Sequence, residues 1–399
     1  MAFHEKRLRE EAGKMYLVLL FFIYLSFVGL GLPDSILGSA WPVMRTEFGA
    51  ALDFAGIISF VITLSKTFAG LCTDRIDKRI GHGKTSVLSM GVMALSLFGC
   101  GMAKSEWAVC ALALPLGAAS GIIDTAVNDY VSRNYSSKHM SWLHCSWGIG
   151  SMLSPFVVGG ILSQGGSWRK GYITLALVQA AITILLIISL PWWKKSTEDG
   201  KKEEIHVLSI GEVFRKPGMA LVLCAFFSYC AGETTAGLWA SSYLIETRGF
   251  NADIAATCSS AIFMGITVGR FLTSFVANNL GDMKLAKTGG IIAFAGSLLV
   301  LIPSSSPILP LAGIFIAGLG CGPLVPSFVH ATPGIYGKEN SSSIVGVEMA
   351  AAHAGSTIMP PLFGVLAERI SIRLFPAYIS ILFFIMMLCI LIISGRNSK

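Results

Sequence analysis

The feature that most constrains this chain is a succession of long apolar runs separated by short polar stretches. A run of about 20 apolar residues covers the hydrocarbon core of a bilayer as one α-helix. Within that core only helices and closed barrels satisfy every backbone polar group, so runs of this length commit the chain to a bundle of crossing helices. The runs read at roughly 15–45, 52–73, 84–103, 107–133, 139–165, 169–192, 217–247, 252–279, 284–303, 307–332, 340–368 and 373–394. Only 13% of the residues are charged, about half the share of a soluble domain, so a soluble enzyme or signalling module is excluded. The 43 glycines suit helices that pack closely in lipid, where small residues let backbones approach. The opening stretch Met1 to Lys14 is charged, and the apolar run behind it is too long for a signal-peptide core and lacks an A-x-A site. It is therefore expected to stay on the protein. Gly29, Gly31 and Pro33, followed by Gly38 and Pro42, predict a break in the first segment.

An even number of crossings puts both termini on one side. Of the 30 Lys and Arg residues, 21 fall in the connections on that side. The other side holds seven, Arg45, Lys104, Arg169, Lys170, Arg248, Arg369 and Arg373. That bias predicts cytoplasmic termini, and the membrane expected is the cell's inner (plasma) membrane. The bias also accounts for the net charge of +7 without nucleic acid. The nine cysteines sit in or beside apolar segments with no C-x-x-C or Cys/His spacing, and read as small packing residues. No H-E-x-x-H or G-x-S-x-G pattern is present, so neither catalytic residues, a metal site nor a cofactor is expected.

The longest connection, with WWKKSTEDGKKEE, divides the chain into 1–192, a linker at 193–216, and 217–399. The two halves match in register. Gly150, Ser151, Pro155 and Gly159 recur as Gly355, Ser356, Pro360 and Gly364; Lys66 recurs as Arg270, and Trp41 as Tyr243. Repeated six-helix halves are how many secondary transporters enclose a central site that opens to either side.

Between segments two and three stands Gly70-Leu-Cys-Thr-Asp74-Arg75-Ile-Asp77-Lys78-Arg79. It resembles the G-x-x-x-D-R-x-G-R-R signature of the major facilitator superfamily, with Asp77 where that signature has its second glycine. The resemblance implies an all-α membrane protein of twelve transmembrane helices in two pseudo-symmetric six-helix bundles. Gly70 is then a close-approach position, and Asp74 faces a helix N-terminus. Arg75, Lys78 and Arg79 complete the gating motif in the headgroup zone.

An ionisable side chain at bilayer depth is expensive and marks function by default. Asp34, Asp124 and Glu233 lie near the middle of segments one, four and seven, and Glu348 lies in segment eleven. Lys66 and Arg270 lie about two turns inside the ends of segments two and eight. These two long basic side chains, with Glu348, are expected to be structural. Long stems snorkel and clamp helix ends, with Asp129, Glu348 or helix C-termini as partners for the two cations. Asp34 and Asp124 are too short to snorkel. Burial disfavours the ionised form of a carboxyl group and so favours proton uptake; a carboxylate is equally a sodium ligand and an acceptor for sugar hydroxyls. The competing reading is a carboxylate satisfied by Ser, Thr or backbone groups.

Asp124-Thr-Ala-Val-Asn128 and Leu143-His144-Cys-Ser-Trp147-Gly-Ile-Gly150 resemble motifs of the fucose–proton symporter branch of that superfamily, which places an Asp in its first helix as Asp34 stands here. The resemblance implies a sugar symporter in which Asp34 and Asp124 hold the coupling ion. That ion is H+ or Na+, since the branch includes sodium-coupled carriers. Asn128, His144, Trp147, Glu233 and Trp239 join the two carboxylates as candidate substrate contacts, and His353 is a secondary one. Each also has a plain packing role open to it. The expected function is ion-coupled uptake of a hexose-like sugar by alternating access. A proton-driven drug or lipid exporter on the same fold is the alternative. The partners expected are a small polar solute and membrane lipids, with the chain acting as a monomer.

Overall fold

The computed structural model describes residues 2–135, 137–193 and 208–396. Most of the linker expected at 193–216 therefore lies outside the described residues. Its last part forms a short helix closed by a capping box, in which Ser209 and Glu212 satisfy each other's backbone N–H groups.

The N-terminal half contains α1 (Ala2–Phe48), α2 (Phe54–Ile80), α3 (His82–Met102), α4 (Glu106–Asn134), α5 (Ser137–Ser163) and α6 (Trp168–Ser189). After the short α7 (Ile210–Phe214) come α8 (Met219–Arg248), α9 (Ala252–Ser259), α10 (Ala261–Leu280), α11 (Asp282–Leu301), α12 (Ile308–Cys321), α13 (Leu324–Tyr336), α14 (Lys338–Leu366) and α15 (Phe375–Arg396). Among the described residues, eleven stretches are long and apolar enough to cross a bilayer, and the last, Glu339–Gly395, holds 57 residues. At 1.5 Å per residue a straight helix of that length would reach nearly three times the ~30 Å core. It is instead folded back at 367–374 into α14 and α15, which completes twelve crossings. Each half packs around its own long-range pairs, α1 with α5, α2 with α4 and α3 with α6, then α8 with α14, α10 with α12 and α11 with α15.

The break expected in the first segment is not there. The helix α1 runs unbroken through Pro33 and Pro42. A proline ring pushes on the carbonyl four residues back, and those positions are Gly29 and Gly38, which lack a side chain to resist the adjustment. Breaks fall elsewhere. One crossing is interrupted at Ser260, between α9 and α10, and another at Gly322-Pro323, between α12 and α13, where proline cannot donate the next helical bond.

The sequence repeat has a packing cause. A Cβ at Gly150 would strike the Val28 carbonyl on α1, and one at Gly355 would strike the Phe227 carbonyl on α8. The same relation holds for Gly121 against the Lys66 backbone and Gly322 against the Arg270 backbone. Equivalent glycines thus bring equivalent helices into backbone contact, and the second pair fixes where Lys66 and Arg270 enter the bundle.

At the end opposite the termini the halves are tied by polar contacts. There the Arg45 guanidinium donates to Glu246 at 2.7 Å, and the Leu52 N–H donates to Glu368 at 2.8 Å. Gly56 sits against Pro361, and Gly159 against Asp253 and Thr257.

Candidate functional site

The centre of the bundle gathers charge from three helices of the N-terminal half. Lys66 on α2 places its Nζ 3.7 Å from Asp34 Oδ2 on α1 and 3.9 Å from Asp124 Oδ2 on α4. This corrects the expected assignment of Lys66. Its partners are neither Asp129 nor Glu348 but the two carboxylates themselves, because Gly121 draws α4 onto α2 at Lys66. Asp129 is occupied at the terminal end, taking Arg133 Nε at 2.7 Å and lying 3.5 Å from His82 Nε2. The three central side chains keep 18% (Lys66), 18% (Asp34) and 32% (Asp124) of their exposure, so they line open space and are not sealed in packing.

Each carboxylate has one further partner from its surroundings. Asn128, one turn along α4, donates its amide to Asp124 Oδ1 at 2.8 Å. Trp147 on α5 donates its indole N–H to Asp34 Oδ2 at 2.8 Å. The face of that indole meets the Arg270 guanidinium from α10, 5.5 Å from the ring centroid, and its ring lies edge-on to Phe263. Trp147 therefore links a carboxylate of one half to a cation of the other.

In the C-terminal half Glu233 is 7% exposed. It and Tyr229, one turn earlier on α8, face Arg270, and Glu233 lies within electrostatic reach of Asp34. Arg270 is thus no lone clamp at a helix end but sits among Trp147, Tyr229 and Glu233. His144 lies one turn before Trp147, within electrostatic reach of Arg270 and Asp124, with its ring edge-on to Phe27. From α14, His353 lies within electrostatic reach of Lys66 and Asp124. The result is a polar seam across both halves, in which the Asp124–Lys66–Asp34 cluster is linked through the Trp147 indole to Arg270, with Glu233 in electrostatic reach of both ends.

Trp239 stands outside that seam. It is fully buried, its indole N–H donates to the Pro360 carbonyl at 2.9 Å, and its ring packs on Phe363. Its position on α8 faces α14, so it is a packing residue and not a substrate platform. Trp239→Phe is accordingly expected to lower stability by about 1 kcal/mol through the lost buried hydrogen bond. Solute affinity should stay within about twofold, as a thermal-unfolding curve and a binding isotherm would read. Glu348 is fully buried and accepts from the Thr332 hydroxyl at 3.1 Å, away from the seam.

At the terminal end the motif also differs from expectation. With Asp77 in place of the second glycine, α2 continues to Ile80, and Gly81, at φ 82°, makes the turn. Gly70 sits against Thr125 of α4. Asp74 faces no helix N-terminus; it is exposed and lies 3.4 Å from Lys78 in its own helix. Arg75 and Arg79 are exposed as well. Asp77, in place of glycine, is buried with its Oδ2 2.8 Å from His82 Nδ1. Sequence reasoning missed this contact, as it missed Tyr229. The five-residue spacing across Gly81 and the four-residue spacing to Glu233 were the only signals for them.

A bundle of twelve crossing helices in two repeated halves, with an ionisable seam between them, defines a membrane transporter and not an enzyme. The profile of the Major Facilitator Superfamily matches residues 23–347 and 221–399, and the chain belongs to that superfamily. It is 25% identical to Bypass of stop codon protein 6 of Saccharomyces cerevisiae, over 88% of this chain and 77% of that one. It is 24% identical to the glucose/mannose transporter GlcP of Bacillus subtilis, over 86% of both, and 22% identical to a hexuronate transporter of the same organism, over 90% and 89%. The crystal structure of the nucleoside transporter NupG superposes with a TM-score of 0.77 at 14% identity, covering 94% of this chain and 99% of that one. This last likeness speaks to the fold alone.

Proposed function

We propose that this chain is an ion-coupled uptake carrier for a hexose-like sugar, working by alternating access in the inner (plasma) membrane. The observation that carries the reading is the sharing of Lys66 between Asp34 and Asp124. One ammonium against two carboxylates leaves one negative charge uncompensated at bilayer depth, and a bound H+ or Na+ supplies the missing positive charge. In the C-terminal half Glu233 and Arg270 offset each other. The seam as a whole therefore favours a cation together with an uncharged solute. Asn128, His144, Tyr229 and Glu233 supply the donors and acceptors that sugar hydroxyls need, and the likeness to a glucose/mannose transporter supports the same class.

The 21 to 7 distribution of basic residues favours cytoplasmic termini. The contacts at Arg45–Glu246 and Leu52–Glu368 then lie on the outer side and hold it closed. Coupling requires that the ion and the sugar each bind one state better than the other. The test is flux into proteoliposomes with a panel of hexoses, first under a pH gradient and then under a sodium gradient. Accumulation of a hexose under one gradient and not the other is expected. Equal uptake with and without either gradient would refute the coupled reading.

A further inference from the structure

Arg270 enters the seam with a donor left over. Among the described residues its Nε is one of the few buried side-chain nitrogens with no hydrogen-bond partner. A buried guanidinium N–H that is never satisfied destabilises a fold, and native proteins seldom leave one. The surroundings indicate what completes it. The guanidinium lies against the Trp147 ring of the opposite half, and that indole is itself tied to Asp34. Tyr229 on α8 is within side-chain hydrogen-bonding range of the guanidinium, though Nε itself stays unpartnered, and Glu233 lies within its electrostatic reach; His144 and Cys145 lie within that reach from α5. The unpaired N–H is therefore held where the halves meet, one indole away from the carboxylate assigned to coupling, in the region a carried solute has to cross. A helix-end clamp would instead have its donors on backbone carbonyls.

We propose that Arg270 reads the solute, its Nε–H donating to one hydroxyl or ring oxygen of an uncharged sugar. Glu233 beside the guanidinium cancels its charge, so the ligand oxygen is neutral and a sugar acid is discriminated against. Through the shared indole, occupancy at Arg270 bears on the position of Trp147 and hence on its bond to Asp34. This assignment rests on the sugar-carrier reading and adds a specificity-determining residue to it.

The test is equilibrium displacement of a radiolabelled hexose from the detergent-solubilised full chain, with no gradient present. The hexose is whichever of glucose, mannose, galactose and fucose binds best, and the competitors are its monodeoxy analogues and its uronic acid. In the unmodified protein one deoxy analogue is expected to bind about 10- to 100-fold more weakly than the parent, as for a lost hydrogen bond to a charged group. In Arg270→Met the parent should weaken by a similar factor and that analogue should weaken no further, so the two effects are not additive. Arg270→Lys, which keeps a donor, should fall between. Equal weakening of every analogue by Arg270→Met would show a merely structural residue and overturn the proposal. If Arg270→Met does not fold, Arg270→Lys carries the same comparison. A uronic acid that binds more tightly than the parent sugar would overturn it as well. Binding of no hexose by the unmodified protein would sink the sugar reading itself, an outcome distinct from either.

Discussion

Asp34→Asn should abolish ion-driven accumulation while sugar exchange across the membrane persists. The asparagine keeps an oxygen for the Trp147 indole, which donates to Asp34 at 2.8 Å, and Lys66 keeps Asp124. Geometry is thus largely retained. What changes is charge: the trio of Asp34, Lys66 and Asp124 goes from one net negative charge to none, so the variant imitates the ion-loaded state permanently. A carrier whose two states bind the ion equally, or not at all, transmits nothing from an ion gradient to its solute. The accumulation ratio should therefore fall to about 1, whereas counterflow of labelled against unlabelled sugar should continue. Undiminished concentrative uptake by Asp34→Asn would remove Asp34 from the coupling role.

The second large effect is expected of Lys66→Met. Its ammonium lies within 4 Å of both carboxylates, and removing it leaves two negative charges facing one another with only Asn128 and Trp147 to satisfy them. Breaking a buried ion pair by deleting one partner costs about 3–5 kcal/mol. The residual exposure of these side chains brings the expected loss to the lower end, about 2–3 kcal/mol. Thermal unfolding in detergent should show a loss of several degrees. A second change, Asp124→Asn, should recover most of it by restoring a single negative charge, whereas a packing role for the Lys66 stem predicts no recovery. The double variant retains Asp34 and should regain measurable uptake. Unaltered stability in Lys66→Met alone would mean that the three groups do not form one electrostatic unit.

Both predictions concern residues that the sequence singled out, yet it assigned them differently. Asp34 and Asp124 stood out because a carboxylate in the middle of an apolar run has no other inexpensive explanation. Lys66 stood out for the same reason, but a long basic side chain near a helix end has a second one in snorkelling. Nothing in the linear order distinguishes the two cases. The contact of Gly121 with the Lys66 backbone does so, because it places α4 and its Asp124 beside Lys66 and not beside the headgroups. Trp147 and Trp239 give the same lesson. Both are tryptophans in apolar helices, but one indole reaches Asp34 in the open seam and the other reaches the Pro360 carbonyl inside a helix contact.

By itself the sequence determined that this protein crosses the membrane about a dozen times, in two halves of common design. Those properties follow from run length and from a repeated register of glycine and proline, and the lipid solvent leaves no other fold for them. It also determined which charges had to be explained. Only the tertiary structure decided how those charges combine: one lysine between two aspartates, and one arginine with an unfilled donor against a tryptophan of the other half. The physical reason is that a pairwise contact at about 4 Å depends on helix rotation and approach across the bundle. Those are set by which small residues touch which backbones, and they leave no period in the chain to read.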